Sequence, residues 1–329
     1  MRNEHYYVYC KGILGVKTNI RNFKWIYGST TEEASFDEYQ KCIVKFNVDI
    51  KPEKDLDTNN EYTKKFQAYS WNAKKNCLFY QRKFLSALNV GYNVEFNGNT
   101  VTVNIGKKYF QLIKPRIMNL HGTYYLLSDI ANMVLLKNGF FTLYASAVHH
   151  TQKNKGIICF APPNTGKTIT AIKLCEFPEY RLVGEDIIIT DGNKLFSCPF
   201  TSSYRNAKST LDSAGSIGRV HKNSFNNVCY ECNITDMITL SLGSPFVSSN
   251  KDEVLRQINI LNGYLFNHYS SPIIKILGYF SQEYDVAWSE KAKELTESMA
   301  NICDCRQIQS DHALNFYTHI HRMISGDTL

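Results

Sequence analysis

A lysine, a hydroxyl and two adjacent carboxylates carry the chemistry this chain can do. Ala161-Pro162-Pro163-Asn164-Thr165-Gly166-Lys167-Thr168 has the layout of a phosphate-binding loop, G-x-x-x-x-G-K-[ST], with alanine in place of the first glycine. In such a loop, backbone N–H groups and a helix N-terminus converge on phosphate oxygens, the lysine reaches the β- and γ-phosphates and the hydroxyl ligates Mg²⁺. Lys167 and Thr168 are the candidates for those two roles. Glu185 and Asp186 follow inside the apolar run from Arg181 to Ile189. A buried carboxylate costs of order several kcal/mol unless a cation or donor faces it. Mg²⁺ is the natural partner here, with one carboxylate near the metal and the other accepting a proton from an attacking hydroxyl. The competing readings are a chance Gly-Lys-Thr and a strand end at which both acids reach water.

The loop requires a strand before it and a helix after it. Ile157 to Ala161 is a short unbroken apolar run, as for a strand covered on both faces of a largely parallel sheet. Thr168 to Glu176 places Ile169, Ile172 and Cys175 on one helical face, and Phe177-Pro178 ends it. The first glycine position, Ala161, is followed by two prolines, so the entry turn must accept a side chain and a fixed φ. Upstream, Tyr124 to Lys137 has helical spacing and is ended by Asn138-Gly139, and Phe140 to Val148 reads as a strand entering the core. Downstream, Arg181 to Ile189 reads as one strand with the acids in its middle, and Asp191-Gly192-Asn193 turns the chain into Leu195 to Phe200. Thr201 to Asn227 reads as a long surface loop. Helices are predicted from Ser249-Asn250-Lys251-Asp252, with Val254, Leu255, Ile258, Leu261 and Leu265 on one face, and around Ala292, Leu295, Met299 and Ile302.

The first hundred or so residues read as β-rich. Val44, Phe46, Val48 and Ile50 alternate with polar residues, and Asn97-Gly98-Asn99 between Val94-Glu95-Phe96 and Thr100 to Val103 signals a hairpin. Pro52 to Thr63 is polar and unpatterned and reads as a mobile loop. Tyr6, Tyr7, Tyr9, Tyr69 and Tyr80 read as strand packing in preference to a stacking platform for a ligand. The organisation expected is a β-rich α+β module over residues 1–120 and a nucleotide-binding α/β core with C-terminal helices over 121–329.

The chain has 329 residues, ten cysteines and a formal net charge of +7. The charge is spread along the sequence, not gathered in an arm or stripe, which argues against a nucleic-acid partner. Without a long apolar run or a signal-peptide layout at Met1-Arg2-Asn3-Glu4-His5, the expectation is a cytoplasmic protein with no membrane partner. The scattered cysteines suit a reducing compartment. Cys229-x-x-Cys232 and Cys303-x-Cys305 offer four thiolates for a zinc site, but the second pair has poor spacing and lies about seventy residues away, which argues against zinc, and His312, His319 and His321 form no ligand pattern. His149 and His150 read as a solvated strand end.

The order of these elements resembles a known family. A Leu-Tyr-Ala-Ser-Ala-Val strand (Leu143 to Val148), the loop ending Gly166-Lys167-Thr168, a helix, and then Leu182-Val183-Gly184-Glu185-Asp186 look like the HPr kinase/phosphorylase family and its relatives, including kinases encoded with ribosomally made peptides. The match covers roughly residues 120 to 200. The resemblance implies a P-loop core of the HPr kinase and phosphoenolpyruvate carboxykinase type, and ATP- and Mg²⁺-dependent phosphoryl transfer to a hydroxyl, usually that of a serine, on a peptide, protein or small molecule. It implies Glu185 as base and Asp186 as the metal-side carboxylate, with the reverse assignment open, and assembly into a homo-oligomer. Tyr144 stands where the family commonly has a histidine, and with Arg205 it is a candidate substrate contact. Ile169 replaces the acid that follows Gly-Lys-Ser in the bacterial carbon-catabolite enzymes, and only Gly215-Ser216-Ile217-Gly218-Arg219 lies where their signature loop would be. These departures speak against HPr itself as acceptor and against the reverse phosphorylase reaction. The alternatives to a kinase are a nucleotide-binding regulatory or scaffold protein without transfer activity, and a carboxykinase-like or hydrolytic enzyme.

Overall fold

The computed structural model describes residues 4–21, 23, 25–27, 33–56, 62–84, 88–113, 123–198, 228–268, 273–284 and 288–326. The chain forms two compact units, one comprising Met1–Trp25, Thr30–Leu135 and Tyr269–Ala287, the other Ile26–Ser29, Leu136–His268 and Trp288–Leu329. The fold class is α/β, with mixed sheets and packed helices.

The first unit is organised by an eight-stranded sheet built from β1 (His5–Tyr9), β2 (Leu14–Thr18), β3 (Val44–Lys51), β4 (Lys64–Phe66), β5 (Tyr69–Asn72), β6 (Cys77–Phe84), β7 (Leu88–Asn97) and β8 (Thr100–Gly106), in the order β1-β2-β3-β8-β7-β6-β5-β4. The alternation predicted for β3 is present, because Val44, Phe46 and Val48 are fully buried while their neighbours are half-exposed. The β7–β8 hairpin turns at Gly98, whose φ of 56° lies in the left-handed region. The tyrosines pack: Tyr7, Tyr9, Tyr69 and Tyr80 are buried, and Tyr80 stacks on Tyr92 with ring centroids 4.9 Å apart. Short helices α1 (Phe36–Gln40), opened by a Ser35–Glu38 capping box, and α2 (Lys107–Ile113) border the sheet strands in sequence. Of the loop predicted from Pro52 to Thr63, Glu53–Asp55 is a single 3₁₀ turn, and 57–61 lie outside the described residues. Helix α3 (Thr123–Lys137) stops where its Asn-Gly signal places the stop, with Gly139 at φ 80° and its N–H on the Leu136 carbonyl.

The second unit is built around β11 (Lys155–Phe160), whose side chains divide between two cores. Ile158 and Phe160 join one with Leu143, Val183, Met237, Val254, Ile258 and Met299, whereas Ile157 and Cys159 join the other with Leu174, Leu182, Ile238, Phe316 and Ile320. That division is what a period of two produces in a strand covered on both faces. β11 pairs antiparallel with β10 (Ser146–His150) and parallel with β15 (Glu231–Leu242), so the core sheet is mixed and not largely parallel. The full order is β12-β10-β11-β15-β14-β13-β9, with β9 (Phe141–Leu143), β12 (Tyr180–Gly184), β13 (Ile188–Thr190) and β14 (Lys194–Phe196). β15 also pairs with β17 (Asp304–Ser310), which in turn pairs with β16 (Phe246–Ser248). Helices α4 (Lys167–Leu174) and α8 (Phe316–Ser325) supply one core, and α5 (Lys251–His268) and α7 (Trp288–Ile302) the other, giving a helix–sheet–helix sandwich. Helix α6 (Ile273–Phe280) belongs to the first unit.

Several sequence expectations are corrected by this arrangement. The predicted strand from Phe140 to Val148 is two strands, β9 and β10, interrupted at Tyr144-Ala145 and paired with different neighbours. The predicted strand from Arg181 to Ile189 is likewise β12 and β13, and the two acids occupy the break, not a strand interior. His150 is buried at the end of β10, its ring 4.7 Å from that of Tyr180, because pairing with β12 continues as far as that residue. The most buried face of α4 is Lys167, Thr170, Ala171 and Leu174, while Ile169, Ile172 and Cys175 are half-buried. On α7, Ile302 is exposed, and Thr296, Met299 and Ala300 are the buried positions.

At the start of β11, fully buried Asp236 on β15 accepts from Thr235 Oγ1 at 2.7 Å and lies 3.3 Å from Lys155 Nζ. Those partners offset the desolvation of its charge. Because Ile158 has no exposure and contacts a closed core, Ile158→Ala should cost about 2–5 kcal/mol in urea unfolding. Ile260→Ala, at an exposed site on α5, should stay within about 0.5 kcal/mol of the unsubstituted chain.

Candidate functional site

The loop between β11 and α4 takes the conformation its residues dictate. Ala161 is buried at the strand end, and within the loop only Asn164 (φ 64°) and Gly166 (φ 117°) adopt positive φ. The first position therefore needs no glycine here, which is the local reason an alanine and two prolines are accommodated. The Pro162 carbonyl accepts from Thr165 N–H at 3.3 Å, closing a turn that returns the chain toward the helix. Gly166 is the N-cap of α4, and its carbonyl accepts from both the N–H and the Oγ1 of Thr170, at 2.9 and 3.0 Å. A Cβ on Gly166 would lie 2.7 Å from the Cβ of Ala313, so glycine is required there both for φ and for space.

Lys167, in the first turn of α4, is almost fully buried. Its Nζ lies 3.0 Å from Asp186 Oδ1 and 3.8 Å above the centre of the Tyr144 ring. A cation over an aromatic face gains about 0.5–2 kcal/mol, more as water is removed, and the carboxylate supplies the larger share of the compensation. Tyr144 and Asp186 come from the two strand breaks, β9/β10 and β12/β13.

The two acids differ sharply in environment. Asp186 has about half of its side chain in water (49%), whereas Glu185 is 1% exposed. The Glu185 main-chain carbonyl accepts from Thr168 Oγ1 at 3.2 Å and also from Ser146 Oγ. With its proton given to that carbonyl, the Thr168 oxygen keeps its lone pairs for a cation. The half-exposed Asp186 carboxylate and the Thr168 hydroxyl are thus donor types that suit Mg²⁺, and the loop with its helix N-terminus suits a phosphate chain.

The structure brings together Ala161, Pro162, Pro163, Asn164, Thr165, Gly166, Lys167 and Thr168 in one loop, and with them Tyr144, Glu185 and Asp186. Arg205 and the Gly215 to Arg219 segment lie outside the described residues. Two contributors are absent from the sequence expectations. Ser146 is a hydroxyl in an apolar strand, a pattern that asks for a buried acceptor. Ala313 arrives from beyond β17, and only tertiary packing reveals it. Among the described residues no group of His, Cys, Asp and Glu has the arrangement of a closed metal site, and no helix is long and apolar enough to cross a membrane.

No protein family and no curated protein sequence matches the chain. Among solved structures it is similar to the Hpr(Ser) kinase/phosphatase from Coxiella burnetii, at 14% identity and a TM-score of 0.21, over 33% of this chain and 76% of that one. A similarity at that score carries no inference about fold or activity.

The Gly166 environment has a separable steric and conformational cost. Gly166→Ala should destabilise the chain by about 1–3 kcal/mol in chemical denaturation. Adding Ala313→Gly should recover only the steric part, leaving the φ penalty behind.

Proposed function

We propose that this chain is an ATP- and Mg²⁺-dependent phosphotransferase that moves the γ-phosphoryl group to a hydroxyl of a peptide, protein or small molecule. The observation that carries the reading is the convergence on one loop of a buried lysine ammonium, a helix N-terminus, a half-buried hydroxyl and paired acids of unequal exposure. Loop N–H groups and Lys167 would hold the β- and γ-phosphates, exchanging the ammonium's contact with Asp186 for one with phosphate oxygens. Mg²⁺, held by Thr168 and Asp186, would supply charge neutralisation on the phosphate chain. The acceptor oxygen forms the new bond to phosphorus as the bond to the ADP oxygen breaks, and the acceptor's proton passes to a carboxylate, which we assign to Glu185. The remaining rate enhancement would come from positioning and preorganised charge.

One observation favours a second reading, a nucleotide-binding protein without transfer. Glu185 is closed off from water, so an acceptor hydroxyl reaches it only if the strand breaks open. Incubation with γ-labelled ATP, Mg²⁺ and a pool of serine peptides and hydroxylated metabolites separates the readings. For the kinase, label reaches an acceptor with the unsubstituted chain, Lys167→Ala and Asp186→Asn each lower transfer by about two orders of magnitude or more, and Glu185→Gln does so with ATP affinity retained. ATP binding with neither labelled product nor ADP would establish the second reading. ADP release without an acceptor would establish a hydrolase.

A further inference from the structure

The break between β9 and β10 delivers two side chains to the phosphate site from one short segment. Tyr144 lies under the Lys167 ammonium, and Ser146, the first residue of β10, is fully buried. Pairing of Ser146 with Cys159, and of Ala147 with Gly184, seats that serine between the last residues of β11 and the break between β12 and β13. Its hydroxyl donates to the Glu185 main-chain carbonyl. The Thr168 hydroxyl donates to the same oxygen at 3.2 Å, and the two lone pairs of a carbonyl allow it to accept both.

That oxygen belongs to the peptide unit joining Glu185 to Asp186. A peptide unit is planar, so holding its oxygen fixes the plane from which the Asp186 Cα departs. The turn around it is tight, since a Cβ on Gly184 would lie 2.8 Å from the Ile187 carbonyl oxygen and 2.9 Å from Ile188 Cγ1. Asp186 emerges from this turn half-exposed, with its carboxylate 3.0 Å from Lys167 Nζ. Thr168 stands on a separate element, the first turn of α4. The Glu185 carbonyl is therefore the joint between the loop helix and the turn that carries the acids. Of its two donors only Ser146 belongs to the sheet, so Ser146 sets where the joint stands relative to β11.

We infer that Ser146 is a positioning residue of the phosphate site, holding the Glu185–Asp186 peptide so that the Asp186 carboxylate and the Thr168 hydroxyl oxygen face one divalent cation. This role presupposes the Mg²⁺- and ATP-dependent site proposed above. Fully buried, Ser146 meets neither nucleotide nor cation and acts through the carbonyl. While the Thr168 proton points at that oxygen, the lone pairs of the Thr168 hydroxyl stay available to the cation. Removing an outer partner of this kind lowers metal affinity or activity by about 10–100-fold.

The test is calorimetric and uses the full chain, with ATP affinity measured in Mg²⁺ and again with a chelator in its place. In the unsubstituted chain Mg²⁺ should tighten ATP binding. In Ser146→Ala the affinity for metal-free ATP should stay within about twofold, because Lys167 and the loop amides are untouched, while the tightening by Mg²⁺ falls about tenfold. Ser146→Thr, which keeps the hydroxyl, should restore most of that tightening. A hydroxyl with a structural role alone would lower stability in urea and leave the Mg²⁺ effect intact, and that result overturns the inference. If Ser146→Ala does not fold, Ser146→Cys, whose thiol is a weak donor, goes through the same comparison, and an Mg²⁺ effect equal to that of the unsubstituted chain overturns the inference equally. An unsubstituted chain that binds no ATP, or binds it alike with and without Mg²⁺, overturns the phosphotransferase reading and this role with it. An unsubstituted chain that responds to Mg²⁺ beside an equally responsive Ser146→Ala overturns this role alone.

Discussion

The ammonium of Lys167 is nearly withdrawn from water, and its charge has to be met where it lies. An ordinary sheet offers little at that position, since its strands point side chains up or down and spend their main-chain groups on each other. This chain meets the charge by interrupting two strands at the same level. The break between β9 and β10 puts the Tyr144 ring beneath the ammonium, and the break between β12 and β13 brings the Asp186 carboxylate beside it. Both segments then change neighbours, β9 and β13 pairing together on one side and β10 and β12 on the other. The loop, the acids and the sheet order are in this sense one solution to a single electrostatic demand.

The helix that carries Lys167 is held from the opposite direction. Ala171 and Leu174 of α4 pack with Phe316, Ile320 and Ile324 of α8, and the approach to α8 brings Ala313 against Gly166. The far end of β11 is fastened differently, by the buried Asp236 and its partners Lys155 and Thr235. Between those two ends the strand contributes only apolar side chains, so its position is fixed by packing on both faces.

Local signals in the sequence suffice where one segment contains the whole cause. The alternation in β3, the Asn-Gly-Asn hairpin and the Asn138-Gly139 helix stop need no partner to be recognised, and the phosphate loop is contiguous. The first strand break leaves no such mark, because its run stays apolar across Tyr144-Ala145, and the second is marked only by its two acids, which read equally well as charges inside a strand. What interrupts the second is the Glu185 carbonyl, taken by the hydroxyls of Ser146 and Thr168 in place of a ladder donor. β15 and α8 are equally hidden in the sequence, although one flanks β11 and the other covers it. Their placement depends on long-range pairing and on a helix face whose partner is distant in sequence. For the same reason the loop and the acids are legible as residues, while their unequal exposure is not.

The fastening at Glu185 runs through its main chain. Thr168 and Ser146 grip a carbonyl oxygen that every amino acid possesses, so these two hydrogen bonds do not depend on the side chain that residue 185 bears. A neutral amide of the same length can occupy the position while the two bonds to the hinge between β12 and β13 stay in place. Architecture and charge are thereby decoupled at one residue, which lets the charge there be removed without releasing the loop it serves.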